Sequence, residues 1–186
     1  GDLPIHIKKL GILKFIDYMF QVSLGLEAMH NNRLVHNDIC PRNIRVDENS
    51  ATIIDFDLSR KKGGLLVMNT FIHGLYLPHW PNEDKNKLWT FSKPSRDLYS
   101  VLDITDYVIG YNLYSSFNSN FLSEQYHAMK TKEQQLFKPL YTPLVKHKHE
   151  TRLETAANLS EILNDLRENN EIHVLNEYFL EKYREI

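Results

Sequence analysis

The sequence predicts a mainly α domain that carries one small β-hairpin. Three observations point there. Apolar residues recur at helical spacing over most of the chain, β-branched runs are few and fall before residue 55, and Gly and Pro number seven each, too few for a linker-rich or collagen-like chain. At 186 residues, the length favours a single domain over 1–186 or one large lobe of something bigger.

The elements follow in order. Residues 12–31 read as a helix, with Leu13, Ile16, Phe20, Leu24 and Ala28 on one stripe, Met19 and Leu26 widening it, and Asn31-Asn32 ending it. Residues 34–43 read as a loop, because Pro41 forbids a regular helix interior and Asn and Asp surround it. Ile44-Arg45-Val46 alternates like a strand, Asp47 to Ser50 is a turn, and Thr52-Ile53-Ile54 is a second β-branched run, so 44–54 is a hairpin. Residues 58–95 lack clean periodicity and are punctuated by Gly63-Gly64, Gly74, Pro78, Pro81 and Pro94. A connection that long in a compact domain usually carries function. Residues 97–109 are apolar on most faces and predict a buried helix. Amphipathic helices follow over 121–137, 152–168 and 171–184, with Pro139 and Pro143 expected to separate the first two.

Composition narrows the function. A net charge of −2 leaves no global field for a nucleic-acid backbone, so no nucleic-acid partner is expected. The single Cys40 excludes a disulfide framework and a Cys-rich zinc module, and it fits a reducing, intracellular setting. No run approaches the roughly 18 apolar residues of a membrane span, so no membrane partner is expected. The chain starts at Gly1, not Met, so its first residues say little about targeting.

The informative constellation is His36-x-Asp38-x-x-x-x-Asn43, then the hairpin, then Asp55-Phe56. It resembles the protein kinase superfamily, whose catalytic loop reads H-R-D-L-x-x-x-N and whose magnesium motif reads D-F-G. Here the two read H-N-D-I-C-P-R-N and D-F-D. Gly25 to His30 resembles the end of the helix that precedes that loop, and Arg96-Asp97-Leu98-Tyr99-Ser100 resembles the start of the buried helix after the activation segment.

The resemblance implies the C-terminal lobe of the protein kinase-like α+β fold, with the activation segment at 55–95. It implies Asp38 as the catalytic carboxylate, Asn43 and Asp55 as ligands of Mg²⁺, ATP as co-substrate, and His36 and Asp97 as supports of the loop. Phosphoryl transfer needs neutralised charge and an aligned nucleophile, and Mg²⁺ favours few protein carboxylates plus phosphate oxygens.

The departures are specific. Asn37 replaces the arginine that usually reads a phosphorylated activation segment. Cys40 stands where a lysine commonly steadies the γ-phosphate, and Arg42, farther along the loop, is the candidate phosphate contact in its place. Asp57 replaces the hinge glycine and reads as a loop residue ahead of a third carboxylate near the metal. No G-x-G-x-x-G stretch and no V-A-I-K-like strand occurs, so the resemblance is to one lobe; either an N-terminal lobe precedes Gly1, which the non-Met start favours, or the protein lacks it. Gly74 to Pro78 resembles the family's substrate-facing loop by position, and Ser59 and Thr70 lie in the same segment.

Trp80 and Trp89 are expected to pack in the interior. Lys146-His147-Lys148-His149 lacks a carboxylate or cysteine at ligand spacing and reads as a solvated face. The expected function is ATP-dependent transfer to a Ser/Thr hydroxyl of a protein substrate. The alternatives are a pseudokinase or lobe-mimic that binds a true kinase without catalysis, and a small-molecule kinase of the same superfamily.

Overall fold

In a computed structural model, the chain is described over residues 1–4, 7–67, 89–113, 122, 126–149 and 155–182. Helix α1 spans Ile12–Asn31 and buries Ile12, Phe15, Ile16, Tyr18, Met19, Val22, Ser23 and Leu26. That stripe is rotated from the expected one. Leu24 is 45% exposed and Ala28 is exposed, because Phe15, Met19, Val22 and Leu26 offer a continuous i, i+4, i+7, i+11 ridge to the core and leave Leu24 on the outer side. Leu13 and Phe20 flank the ridge, and the Arg167 guanidinium covers the Phe20 ring at 4.4 Å. Gly11 precedes the helix at φ 87, a conformation that favours glycine, and a Cβ there would displace the Asn176 side chain, whose Oδ1 would lie at 2.6 Å. That same Asn176 oxygen accepts the Leu13 N–H, one of the helix's first unsatisfied donors.

Among the described residues, six short strands form three two-stranded antiparallel ladders. Strand β1 (Leu34–Val35) pairs with β4 (Arg60–Lys61), β2 (Ile44–Val46) with β3 (Ala51–Ile53), and β5 (Leu65–Val67) with β6 (Trp89–Phe91). The β2–β3 hairpin is closed by Asp47. Its Oδ1 accepts the N–H groups of Asn49 and Ser50 at 2.8 and 2.7 Å, and its Oδ2 accepts the Ser50 hydroxyl at 2.7 Å. The Ser50 hydroxyl and then these two N–H groups hold the Asp47 carboxyl below the usual carboxylate range. Strands β4, β5 and β6 lie in the segment that the sequence leaves irregular. Two or three residues are too few for a periodicity signal.

Helix α2 spans Pro94–Leu113, wider than the expected 97–109 at both ends, with Pro94 at its start, where a missing N–H costs nothing. Helix α3 spans Thr131–His149 and runs through Pro139 and Pro143, where the sequence reading places a break. The reason is anchoring. Phe137, Leu140 and Leu144 are buried, and Gln135, whose carbonyl loses its partner to Pro139, is exposed to water. The region 121–137, expected as one helix, instead holds a 3₁₀ turn at Tyr126–Ala128 ahead of α3. Helices α4 (Ala156–Glu168) and α5 (Asn170–Lys182) complete the described chain, and the Thr155 hydroxyl caps α4 by accepting the Asn158 N–H.

Helix α1 packs chiefly on α4 and also on α2 and β3. Among the described residues, no helix is long and apolar enough to cross a membrane. The expected substrate-facing loop, Thr70 and Trp80 lie outside the described residues, as do the side chains of His147 and His149.

The depressed Asp47 carboxyl gives a pH-dependent contribution. A carboxyl held lower in the folded chain than in the unfolded one stabilises above its unfolded pKa and loses that contribution as pH falls through the folded value. Asp47→Ala is therefore expected to lower the melting temperature near neutrality, with the gap to the parent closing in acid. Parallel melts across pH check this, and a gap that persists in acid would contradict it.

Candidate active site

The H-N-D loop is hung from the start of α2. The Asp97 side chain is fully buried, and its two oxygens accept two successive backbone donors, His36 N–H on Oδ2 and Asn37 N–H on Oδ1, both at 2.8 Å. His30, in the last turn of α1, reaches Asp97 Oδ2 with Nε2 at 3.0 Å. A carboxylate only accepts, so His30 donates there. One side chain thus joins α1, α2 and the loop.

Both ring nitrogens of His36 are used. Nε2 donates to the Ile54 carbonyl at 3.1 Å, which leaves Nδ1 to accept the Asp38 N–H at 3.2 Å. The ring is buried and meets Phe56 edge-on at 5.2 Å. Asn43 sits in the 3₁₀ turn Pro41–Asn43, where Pro41 at the first position starts the turn that Pro is suited to start. Its Nδ2 donates to both the Asp38 carbonyl (2.9 Å) and Asp38 Oδ2 (2.8 Å). Arg42 Nη2 approaches the same Oδ2 at 3.6 Å.

Burial, and then the Asp38 charge, raise the Cys40 pKa, so the thiol stays protonated at neutral pH. The Arg42 pKa is raised although its own partial burial works against the charge. The opposing contributions come from Cys40 and Asp38, and with the thiol protonated it is Asp38 that holds the guanidinium charged.

The hairpin returns the chain to Asn43. Ile44 pairs with Ile53, and the Ile54 N–H donates to the Asn43 carbonyl at 2.9 Å, so Asp55 follows one residue after that bond. Asp55 is exposed and takes a left-handed φ of 61, a conformation that costs a non-glycine residue roughly 1–2 kcal/mol. Asp57 is exposed too. Its N–H lies 3.4 Å from Asp55 Oδ1, and its carbonyl accepts from Arg60. Among the described residues, no group of three His, Cys, Asp or Glu could hold a metal. A cation here would rest on fewer protein oxygens, such as the Asn43 amide and the Asp55 carboxylate, a donor set suited to Mg²⁺.

Two residues that sequence reasoning missed complete the site. Asn37 is buried at φ 68, which Asn tolerates better than most side chains. Its Nδ2 reaches the Leu58 carbonyl (3.0 Å) and Ser92 Oγ (2.7 Å), and its Oδ1 accepts from Arg96 Nη1 at 2.8 Å. Arg96, 1% exposed, also donates through Nη2 to Thr90 Oγ1 and the Phe91 carbonyl. A cation therefore does stand beside the loop, but it comes from α2. The missed pair is Arg96 and His30. The signal for Arg96 was its place directly before Asp97, and His30 showed only as the end of a helix. Trp89, expected inside, is 58% exposed, since β6 alternates and turns Thr90 inward instead.

These roles separate by stability. Asp97→Ala leaves the buried N–H groups of His36 and Asn37 without their acceptor, at about 1–3 kcal/mol each, and a clear fall in melting temperature is expected. Asp55→Gly relieves a left-handed residue at an exposed position, and a neutral or slightly raised melting temperature is expected. Thermal melts of the two variants check both, and the reverse order would mean that the loop is not hung from Asp97.

Part of the chain is similar in sequence to known protein kinases. The family described as protein tyrosine and serine/threonine kinase matches residues 3–67, the stretch holding α1, the H-N-D loop and the hairpin. G protein-coupled receptor kinase 2 of Caenorhabditis elegans is 39% identical over 70 residues, 33% of this chain and 10% of that protein. Human beta-adrenergic receptor kinase 1 is 37% identical over 70 residues, with the same two coverages. Serine/threonine-protein kinase Nek11 of Macaca fascicularis is 30% identical over 110 residues, 59% of this chain and 17% of that protein. The chain thus spans less than a fifth of each of these relatives. In sequence over residues 3–67, and in its mainly α fold with small antiparallel sheets, the chain is similar to the C-terminal lobe of the protein kinase superfamily, from which it departs at Asn37 and Asp57.

Proposed function

We propose that the chain is the catalytic lobe of a divergent protein kinase that transfers phosphate from ATP to a Ser/Thr hydroxyl of a protein substrate. The observation that carries this reading is the way Asp38 is held. Asn43 and Arg42 both approach Oδ2, at 2.8 and 3.6 Å, which fixes the carboxylate and leaves Oδ1 as the atom for an acceptor hydroxyl. Asp38 orients that hydroxyl and takes its proton as the oxygen attacks. An Asn43 amide whose nitrogen is committed to Asp38 keeps its oxygen for a cation, and Asp55 supplies the second ligand. Bound Mg²⁺ with ATP supplies the transferable phosphoryl group and neutralises its charge. Arg42, half-exposed and firmly protonated beside Asp38, brings a positive charge to the side of the loop where Cys40 offers none.

One observation favours a non-catalytic reading, in which the chain binds and regulates a true kinase. The neutral Cys40 stands where a phosphate-steadying lysine is usual. A small-molecule acceptor is the other alternative, since D-F-D-like endings occur among such kinases of the superfamily.

The test is phosphate transfer to a Ser/Thr peptide with Mg·ATP, in the protein as expressed with whatever precedes Gly1. Asp38→Asn is expected to lower kcat about 100-fold or more with little change in nucleotide affinity, because the carboxylate meets the acceptor and not the nucleotide. Arg42→Ala is expected to lower kcat and to weaken nucleotide binding together. Chelation of Mg²⁺ should stop turnover. Unchanged turnover in Asp38→Asn would refute the catalytic reading, and transfer to sugars or amino alcohols in preference to peptides would favour the small-molecule alternative.

A further inference from the structure

The first turn of α2 grips Asn37 twice. Asp97 accepts its backbone N–H at 2.8 Å, and Arg96, the residue before, donates through Nη1 to its side-chain Oδ1, also at 2.8 Å. Arg96 and Asn37 are each 1% exposed. A guanidinium in so dry a setting costs free energy unless its donors are met. Two of its acceptors, Thr90 Oγ1 and the Phe91 carbonyl, lie in β6 at 3.0 and 3.2 Å and hold the group in place.

The bond to Asn37 does something those two do not. A guanidinium only donates, so it fixes which end of the amide faces α2. The oxygen turns to Arg96, and the nitrogen turns to the Leu58 and Val35 carbonyls at 3.0 and 3.2 Å. The Ser92 hydroxyl lies against both ends, 2.7 Å from Nδ2 and 3.0 Å from Oδ1. The amide is thus locked between β1, the stretch after Asp55-Phe56-Asp57, and α2. Its backbone is left-handed at φ 68, so the chain changes direction here, and the next residue is Asp38. The direction in which Asp38 leaves the loop therefore depends on how firmly Asn37 is held.

We infer that Arg96 is a positioning residue for Asp38 and that it acts through the Asn37 amide. The route runs from guanidinium to amide oxygen, from amide to the left-handed backbone, and from backbone to the Asp38 N–H, which His36 Nδ1 accepts at 3.2 Å. Asn37 and Arg96 are then a matched pair. An arginine at position 37 would set two guanidinium charges against each other in a buried place, whereas a neutral amide offers Arg96 an acceptor. The role of Asp38 in transfer rests on the catalytic reading above; the pairing of Asn37 with Arg96 does not.

Two measurements on the whole protein keep these apart. Hydrogen exchange needs no turnover. In Arg96→Met, which removes every donor, the Asp38 amide is expected to speed up at least about tenfold more than the Leu26 and Leu163 amides, which report opening of the α1–α4 core. Phosphate transfer, assayed well below the melting temperature, is the second. Arg96→Met and Asn37→Gly are each expected to lower kcat about tenfold or more, with KM for Mg·ATP and for peptide within about twofold of the parent. Glycine accepts the left-handed backbone and deletes the amide. The double variant should fall no further than Asn37→Gly alone, because Arg96 then has nothing to act through. If Arg96→Met does not fold, as circular dichroism would show, Arg96→Lys takes its place, keeping the charge and losing the planar fork. Losses that multiply in the double variant, or an Asp38 amide that speeds up no more than Leu26 and Leu163, would overturn the inference. A parent that transfers no phosphate would sink the catalytic reading alone, and the exchange measurement would still decide the pairing.

Discussion

A carboxylate that never meets solvent sets the geometry of this lobe. Asp97 gathers two consecutive backbone N–H groups and the His30 ring at hydrogen-bond distance. Hydrogen bonds to a charged group are individually stronger than neutral ones, and burial raises the stakes, since each unmade bond would strand a desolvated group. The loop backbone at His36 and Asn37 is thereby pinned to the first turn of α2. His36 in turn pins the Asp38 N–H and the Ile54 carbonyl, and Asn43 pins the Asp38 side chain. The position of Asp38 is therefore inherited, bond by bond, from a helix more than fifty residues downstream.

Two of the motif departures fit this scheme differently. At Asn37 the family's cation is absent, yet the pocket still contains a guanidinium, because Arg96 enters from α2 and takes the amide oxygen as its acceptor. The junction also reaches Ser92 and Leu58, so the two ends of the long irregular segment are tied to the loop by neutral and cationic side chains already in the chain. At Cys40 no such replacement sits at the same position. Burial keeps that thiol neutral, and the positive charge in this part of the loop comes from Arg42.

Much of the helical frame was legible in the sequence because long apolar stripes are redundant: α1 is evident from any four of its residues. The face was less so, since Leu13, Phe20 and Leu24 make a plausible stripe beside the true one, and only the packing of α4 chooses between them. Pro139 and Pro143 misled for a local reason. A proline signals a break unless tertiary anchors such as Phe137 and Leu140 hold the helix through it. At the site, residues fixed by motif spacing (His36, Asp38, Asn43, Asp55) could be found from sequence, whereas Arg96 and His30 act through contacts 59 and 67 residues away, which no local pattern records. Strands β4 to β6 were invisible because their pairing depends on partners brought together by the rest of the fold.

The pairing of α1 with the last helices also bears on how the chain is made. Leu13 takes its cap from Asn176, Asp17 meets Arg167 at 3.2 Å, and the Ser23 and Ser160 hydroxyls lie 3.0 Å apart. Each contact spans well over a hundred residues, so closure must wait until the residues of α4 and α5 have been made. Through that interval the Phe15–Met19–Val22–Leu26 ridge is exposed, and at typical elongation rates of about 5–20 residues per second the wait lasts on the order of ten seconds. Until those late contacts form, the apolar face of α1 has only its near neighbours in sequence to pack against.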